Sequence, residues 1–356
     1  MAPRATLHLG ACLSMTMTRL TRVSIHLTIP LVLVACALLA PSATGRERAS
    51  HARAAARPTA HAASRYQVGI GDEYASMFGS ALWQQLHTKI ARYIAPYDAV
   101  AHRDSLARVT AWIHGAEEQG EQILIAFYHS QHTPTTLPSV ALYKRDVEKF
   151  VKRFPNIRQY QAWDEANRGN IAHYLSSPSA RTTARYYQAL RRACTTCTVI
   201  GLDVLDQANT GPTLEYISEF KREVGRLHTV MPGIWGLHDY SDVNRLQSWR
   251  TREISRALGG QVWLTETGGI VQFGGAYPNR HGSGLARAAK VLNYTFNLAG
   301  SYSRIRRLYL YNWTGGVNST RFDAGLTDSR NRPRVGYVVV CRRLHGTKCN
   351  VRVSSR

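Results

Sequence analysis

From Tyr66 onward the chain alternates short apolar runs with amphipathic stretches, and it completes the alternation eight times. The runs are 66–71, 89–95, 122–128, 158–164, 198–203, 233–239, 261–265 and 307–312. They are nearly continuous in apolar residues rather than apolar at every second position, the pattern of strands buried on both faces of a parallel sheet. Helical stripes lie between them: Leu106, Val109, Ile113 and Ala116; Val140, Tyr143, Val147, Phe150 and Phe154; Leu214, Ile217, Phe220 and Val224; Leu285, Ala289, Leu292 and Phe296. A parallel sheet clothed by helices follows. Eight strand–helix units match a closed (β/α)8 barrel, which takes about 250 residues. An open doubly wound sheet is the alternative, and it usually carries a glycine-rich phosphate turn after its first strand. Here Gly69-Ile70-Gly71-Asp72-Glu73 lacks the third glycine and puts acids where a pyrophosphate would sit. The expected class is therefore α/β, one (β/α)8 TIM barrel spanning residues 66–356.

The first 65 residues have a different character. Arg19 and Arg22 precede an apolar run over 25–40, interrupted by His26, Thr28 and Pro30. A basic stretch followed by an apolar stretch too short for a spanning helix of about 20 residues reads as a signal peptide or membrane anchor over 1–40. Cleavage near Ala40 to Ala43 is the first reading and a retained anchor the second. Lipidation of Cys36 in Leu33-Val34-Ala35-Cys36 is the third, since the residues after that cysteine are apolar. Residues 41–65 are mostly Ala, Arg, His, Ser and Pro with no bulky apolar side chain, so they cannot bury a core and read as a flexible linker. The expected location is secreted or tethered at a bacterial cell surface. Export would favour local disulfides at Cys194/Cys197 and Cys341/Cys349. A redox motif or half a zinc site is the competing reading of Cys194-Thr-Thr-Cys197, and no second C-x-x-C accompanies it.

The 45 Lys and Arg against 23 Asp and Glu give a net charge of +22. Residues 1–65 hold eight Arg and one acid, so they contribute +7 and the remainder +15. Such an excess favours adhesion to polyanions, although an Arg-rich composition can follow from a GC-rich genome with no partner implied. No recognition helix, zinc-finger spacing or RNA-binding signature accompanies the charge, which argues against a dedicated nucleic-acid binder.

In a barrel the chemistry sits at the C-terminal ends of the strands. Those positions hold Asp72-Glu73, Arg92 with Asp98 beyond it, His129, Trp163-Asp164-Glu165-Ala166-Asn167, Asp203, His238-Asp239-Tyr240, Glu266 and Trp313. Acids, imidazoles and aromatic rings suit a sugar site: carboxylates attack and move protons, polar groups hold hydroxyls, and ring faces stack on pyranoses. No nucleotide fingerprint, HExxH helix or GxSxG elbow occurs. The histidines show no ligand spacing, so neither metal nor cofactor is expected. Competing structural roles stand beside each functional one. Asp72 and Glu73 could cap the following helix, the better reading for Glu73. Arg92 could pair with Asp98, His238 could be a satisfied core histidine, Asp203 a loop acid, and Trp313 barrel core.

The segments WDEAN (163–167), HDY (238–240), WLTETGG (263–269) and YLYNW (309–313) resemble the corresponding strand-end motifs of the clan A glycoside hydrolases, with the xylosidase-type family 39 and the glucanase-like catalytic domains nearest. The resemblance runs from Tyr66 to about Cys349. It implies a retaining mechanism with Glu165 as acid/base and Glu266 as nucleophile, Tyr240 orienting Glu266, Arg92 beneath it, and Trp313 flooring the sugar subsite. His129, His238, Asp164 and Asp72 complete the substrate-binding set. The clan carries Asn immediately before its acid/base, donating to the substrate 2-hydroxyl; Asp164 stands there instead. An ionised Asp164 would disfavour ionisation of its neighbour and raise the pKa of Glu165. The residues agree with the resemblance, since a retaining site needs two carboxyls about 5–5.5 Å apart. A Glu beside Trp163 would be desolvated, while one beside Arg92 and Tyr240 would stay ionised. The expected function is hydrolysis of a β-linked glycan by a monomer that binds an oligo- or polysaccharide, or alternatively binding of wall polysaccharide by a catalytically weak barrel.

Overall fold

A computed structural model describes residues 66–169, 176–316, 322–351 and 353, all within one compact unit, Thr59–Arg356. The expected signal or anchor (1–40) and linker (41–65) lie outside the described residues. Among the described residues no helix is long and apolar enough to cross a membrane.

The strands are β1 (Gln67–Gly71), β2 (Ile90–Pro96), β3 (Gln122–Tyr128), β4 (Gln159–Gln161), β5 (Thr198–Ile200), β6 (Asp203–Leu205), β7 (Ile234–His238), β8 (Gln261–Thr267), β9 (Gln272–Phe273), β10 (Ile305–Tyr311) and β11 (Phe322–Asp323). Nine of them form one parallel sheet in the order β5-β4-β3-β2-β1-β10-β8-β7-β6. The sheet closes because β5 and β6 are two pieces of one run. The first piece pairs with β4 and the second with β7. At the break, Gly201 N–H donates to Ile234 O (3.1 Å) and Gly236 N–H donates to Leu202 O (2.8 Å). A Cβ at Gly201 would collide with the Pro232 ring, which is why a glycine marks the join. The result is the expected (β/α)8 barrel, with the antiparallel pair β9 and β11 set on its rim.

The main helices between strands are α2 (Arg103–Glu118), α3 (Val140–Arg153), α4 (Ala180–Ala193), α5 (Gly211–Arg226), α7 (Trp249–Leu258), α8 (Ser283–Ser301) and α9 (Val335–His345), with the short α1 (Ala81–Leu86) and α6 (Tyr240–Val243). Their ends are built from local chemistry. Ser139 and Ser179 accept from Leu142 N and Thr182 N at the starts of α3 and α4 (3.2 Å each). Lys152 with Arg153, and Arg191 with Arg192, face the negative ends of the same helices.

Period-two alternation sorts each strand between two interiors. Ala91, Tyr93 and Ala95 of β2 join the large core between sheet and helices, as do Ile123, Ile125 and Phe127 of β3. The alternate residues point inside the barrel. There Ile90, Leu124, Ile200, Trp263 and Tyr309 form a separate apolar cluster, and Arg92 comes one step higher on the same face of β2. Both cysteine pairs are closed, Cys194–Cys197 and Cys341–Cys349.

Candidate active site

Above the apolar cluster the barrel is filled by polar side chains. Arg92, Gln161, Asp203 and His238 are each at most 1 % exposed. Arg92 donates through Nη1 to Glu266 Oε1 (2.7 Å) and through Nη2 to Asp164, with Asp203 Oδ2 3.7 Å away. Asp203 also accepts from Gln161 and from Thr265. A Cβ at Gly236 would run into Asp203 and lie 2.8 Å from Thr265 Oγ1, so that glycine makes room for the acid. Arg92 therefore serves the carboxylates and not Asp98, which pairs with His102 instead (3.0 Å). With three acids facing its guanidinium, Arg92 is held cationic against the burial that opposes its charge.

Two glutamates rise from this layer into a cavity of about 540 Å³ at the C-terminal ends of the strands. Glu165 follows β4 in a left-handed conformation (φ 41°), which costs a residue with a side chain on the order of 1 kcal/mol. The peptides on either side are pinned: Asp164 N–H donates to Phe127 O (2.9 Å) and Ala166 N–H to Asp203 O (3.0 Å). Asn167 ties the turn to β6 through a reciprocal pair with Leu205, Nδ2 to O at 2.9 Å and N–H to Oδ1 at 2.8 Å. Glu266 owes its aim to a register shift in β8. Leu237 pairs with Leu264 but His238 pairs with Glu266, so Thr265 and Glu266 both turn inward. Tyr240 donates its hydroxyl to Glu266 Oε2 (3.4 Å).

His238 links the two glutamates. Its Nδ1 lies 3.1 Å from Glu165 Oε1 and 3.7 Å from Glu266 Oε2. The two oxygens can therefore be no farther apart than the sum of those distances, just under 7 Å. Its Nε2 is 2.8 Å from Asp203 Oδ2, an off-axis ion pair rather than an aligned hydrogen bond. Burial alone would depress the His238 pKa, but Asp203, Glu266 and Glu165 together hold it well above the usual imidazole range.

The electrostatics reverse one expectation. Burial pushes the Glu165 carboxyl up, yet the His238 hydrogen bond and charge, with Arg168 Nη1 3.0 Å from Oε2, outweigh it and leave its pKa below the ordinary value. Asp164 is the acid that is raised, to about 8, first by burial and then by the charges of Glu266 and Asp203, against the pull of Arg92 and His238. The expected sequence of effects, an ionised Asp164 raising Glu165, does not hold because Asp164 turns down onto Arg92 while Glu165 turns to His238 and Arg168.

Of the expected site residues, Arg92 and His238 lie beneath the cavity without lining it, and Trp313, Asp72 and His129 do not line it either. Trp313 is buried edge-on against Trp83 (5.5 Å) and Tyr337 (5.9 Å), because the chain leaves β10 after Tyr311. Tyr311 lines the cavity instead. Asp72 accepts from Tyr74 N (2.9 Å) and Thr314 N (2.7 Å) and so ties two strand ends together. Glu73 caps no helix: it accepts from the Tyr311 hydroxyl (2.9 Å), and burial raises its carboxyl to about 8. His129 packs edge-on to Tyr128 and Trp163 (4.7 and 5.0 Å) behind the Glu165 turn, and burial lowers its pKa to about 4. Arg168, Arg245, Tyr277 and Phe322 line the cavity and were not anticipated. Arg168 follows directly on WDEAN and Tyr311 lies inside YLYNW, so both were within reach of the motifs. Arg245, Tyr277 and Phe322 stand on connections that no motif marks.

Asp164, His238 and Glu266 each offer one atom within 4.8 Å of the others, the spacing of a metal site. Arg92 already sits on two of the three, and its guanidinium supplies the positive charge a metal would bring. The donor set does not fit a resident metal.

No family model matches the chain, and no curated protein matches it. Solved structures do. Native xylanase 10B from Thermotoga maritima superposes with a TM-score of 0.56 at 15 % identity, over 81 % of this chain and 97 % of that one. The GH10 protein from Paenibacillus barcinonensis gives 0.58 at 10 % identity, over 82 % and 97 %. The family 1 b-glucosidase from Thermotoga maritima gives 0.54 at 8 % identity, over 80 % and 98 %. At these identities the likeness is one of fold: the chain is a (β/α)8 barrel with the layout found in these glycosidases.

Proposed function

We propose that the protein is a retaining glycoside hydrolase acting on a β-linked glycan, with Glu266 as nucleophile and Glu165 as acid/base. One observation carries this reading: the carboxylates that follow β4 and end β8 both reach His238 Nδ1, at 3.1 and 3.7 Å, beneath the cavity they line, which keeps them within just under 7 Å and so admits the close spacing that double displacement uses. In the first step Glu266 attacks the anomeric carbon while Glu165 gives its proton to the departing glycosidic oxygen. A glycosyl ester on Glu266 results. In the second step Glu165 takes a proton from water, the oxygen bonds to the anomeric carbon, and Glu266 leaves as carboxylate. Tyr240 and Arg92 hold Glu266 in line through their hydrogen bonds. The fold shared with a xylanase and a b-glucosidase agrees with this chemistry. The two disulfides suit an exported protein.

Because Glu165 is held below the ordinary carboxyl range, the acid role requires acidic conditions, and kcat/KM should fall as pH rises above that range. The same observation favours the second reading, a barrel that binds polysaccharide with little turnover near neutral pH. A hydrolysis screen over neutral and acidic β-glycans, run from pH 4 to 8 beside Glu266→Ala, separates the two. Turnover at low pH that is lost in the variant supports the hydrolase. Glycan binding without turnover at any pH supports the second reading.

A further inference from the structure

Resting on the hydrolase reading, we propose that the substrate is an anionic glycan and that Arg245 reads its charge, carried as a carboxylate or sulfate on a sugar in the cavity. Among the described residues two cations line this space, Arg168 and Arg245. Arg168 is committed to Glu165 at 3.0 Å and to the Tyr128 hydroxyl. Arg245 is not committed to any acid. It donates through Nη1 to the Ser241 carbonyl (2.9 Å), and among the described residues no carboxylate lies within ion-pair distance of it.

The loop under Arg245 is anchored. The preceding Asn244 donates through Nδ2 to Tyr240 O (3.1 Å) and Gly268 O (2.9 Å), and its Oδ1 accepts from Ile270 N (2.8 Å). The backbone carrying Arg245 is thus bolted between the tyrosine that holds Glu266 and the end of β8. The Arg245 side chain itself is exposed on the wall of the cavity, and its planar fork loses less freedom per hydrogen bond than a flexible ammonium would when it grips a planar anion. The cavity floor presents Glu165 and Glu266, whose charges would repel an anionic sugar, so a cation on the wall is needed for such a ligand to enter. The net charge of +22 acts in the same direction at long range by drawing polyanions toward the protein.

The test compares kcat/KM of the full chain on three matched β-linked oligosaccharides: one bearing uronic acids, its carboxyl-reduced neutral counterpart, and a sulfated counterpart. The wild type should prefer an anionic substrate, and the arm it prefers names the group. R245Q should lower the anionic-to-neutral ratio about 10- to 100-fold, the loss expected of a charge-assisted hydrogen bond, and R245K should recover part of it. Arg192→Gln, which removes the same charge from an exposed position on α4, should leave the ratio unchanged. Equal loss on all substrates in R245Q, or a wild-type preference for the neutral oligosaccharide, would overturn the proposal. If the wild type cleaves none of the three, the hydrolase reading fails. Calorimetry with Glu266→Gln and the same oligosaccharides then decides this point separately: tighter anionic binding that is lost on adding R245Q upholds the anion site, and no difference overturns it.

Discussion

The lower and upper halves of the barrel interior are equally buried and oppositely filled. Below, Ile90, Leu124, Ile200, Trp263 and Tyr309 are at most 4 % exposed, and they pack as any barrel core does. One step up, Arg92, Gln161, Asp203 and His238 are buried as deeply, although burying charge is costly unless it is paired. The lower layer only has to fill space. The upper one has to present two carboxylates at fixed positions, and it does so by compensation. Four acids, Asp164, Asp203, Glu165 and Glu266, face three cations, Arg92, His238 and Arg168, and the raised pKa of Asp164 works against the excess. The difference teaches that burial says how much a position matters, while the charge balance says to what.

Substitutions should separate the two layers sharply. Glu165→Ala is expected to lower kcat by about 10²–10⁴-fold on substrates with poor leaving groups, with an effect on unfolding confined to the lost pairs with His238 and Arg168. Leu124→Ala in the lower layer should do the reverse: a loss of about 2–5 kcal/mol in stability and near-normal kcat for the folded fraction. Steady-state kinetics paired with chemical unfolding reads both, and similar profiles for the two variants would erase the distinction.

Arg92→Met is the variant that should fail on both counts. It strands Glu266 and Asp164 without their guanidinium, and removing one partner from a buried pair costs about 3–5 kcal/mol. If denaturant unfolding shows Arg92→Met to be as stable as the wild type, the compensation argument is wrong.

A subtler effect concerns pH. His238 holds Glu165 down, so His238→Gln should let the Glu165 pKa rise and move the basic limb of the kcat/KM profile to higher pH. A limb that stays put or moves to lower pH would detach His238 from the acid.

The smallest expected effect is on stability. Burial raises Asp72 to about 6, Asp239 to about 7 and Asp164 to about 8. Each binds its proton more tightly folded than unfolded, so its contribution is complete below the unfolded value near 4 and fades as pH climbs through the folded value. His238, also raised, acts in the same direction. Glu165 and Asp203, both lowered, act in the opposite sense and lose their contribution only as pH falls below about 4. The unfolding temperature should therefore fall between pH 5 and pH 8; a rise over that window would contradict the buried-acid account.

Much of the fold was legible because parallel strands buried on both faces announce themselves as apolar runs: 122–128 coincides with β3, and the four helical stripes fall on α2, α3, α5 and α8. The split of 198–203 into β5 and β6 was not read, although Gly201 marked it, because a lone glycine does not say what approaches it. At the site, WDEAN and WLTETGG pointed to the glutamates that now face one cavity. Trp313 was misplaced because counting past the end of β10 cannot tell where the chain turns out of the strand. Asp72 and Glu73 both depart from expectation for a similar reason: where the chain leaves β1 decides that Asp72 ties backbone N–H groups together and that Glu73 meets the Tyr311 hydroxyl. Arg245 was invisible because its place depends on a loop that Asn244 anchors across the fold.

The central claim is that Glu165 and Glu266 act as a retaining pair, and the anomeric configuration of the first product tests it most directly. Proton NMR recorded during early turnover, before mutarotation, should show the product sugar in the configuration of the substrate. An inverted product would contradict the account, since it would make Glu266 a base that activates water rather than the nucleophile that forms the glycosyl ester.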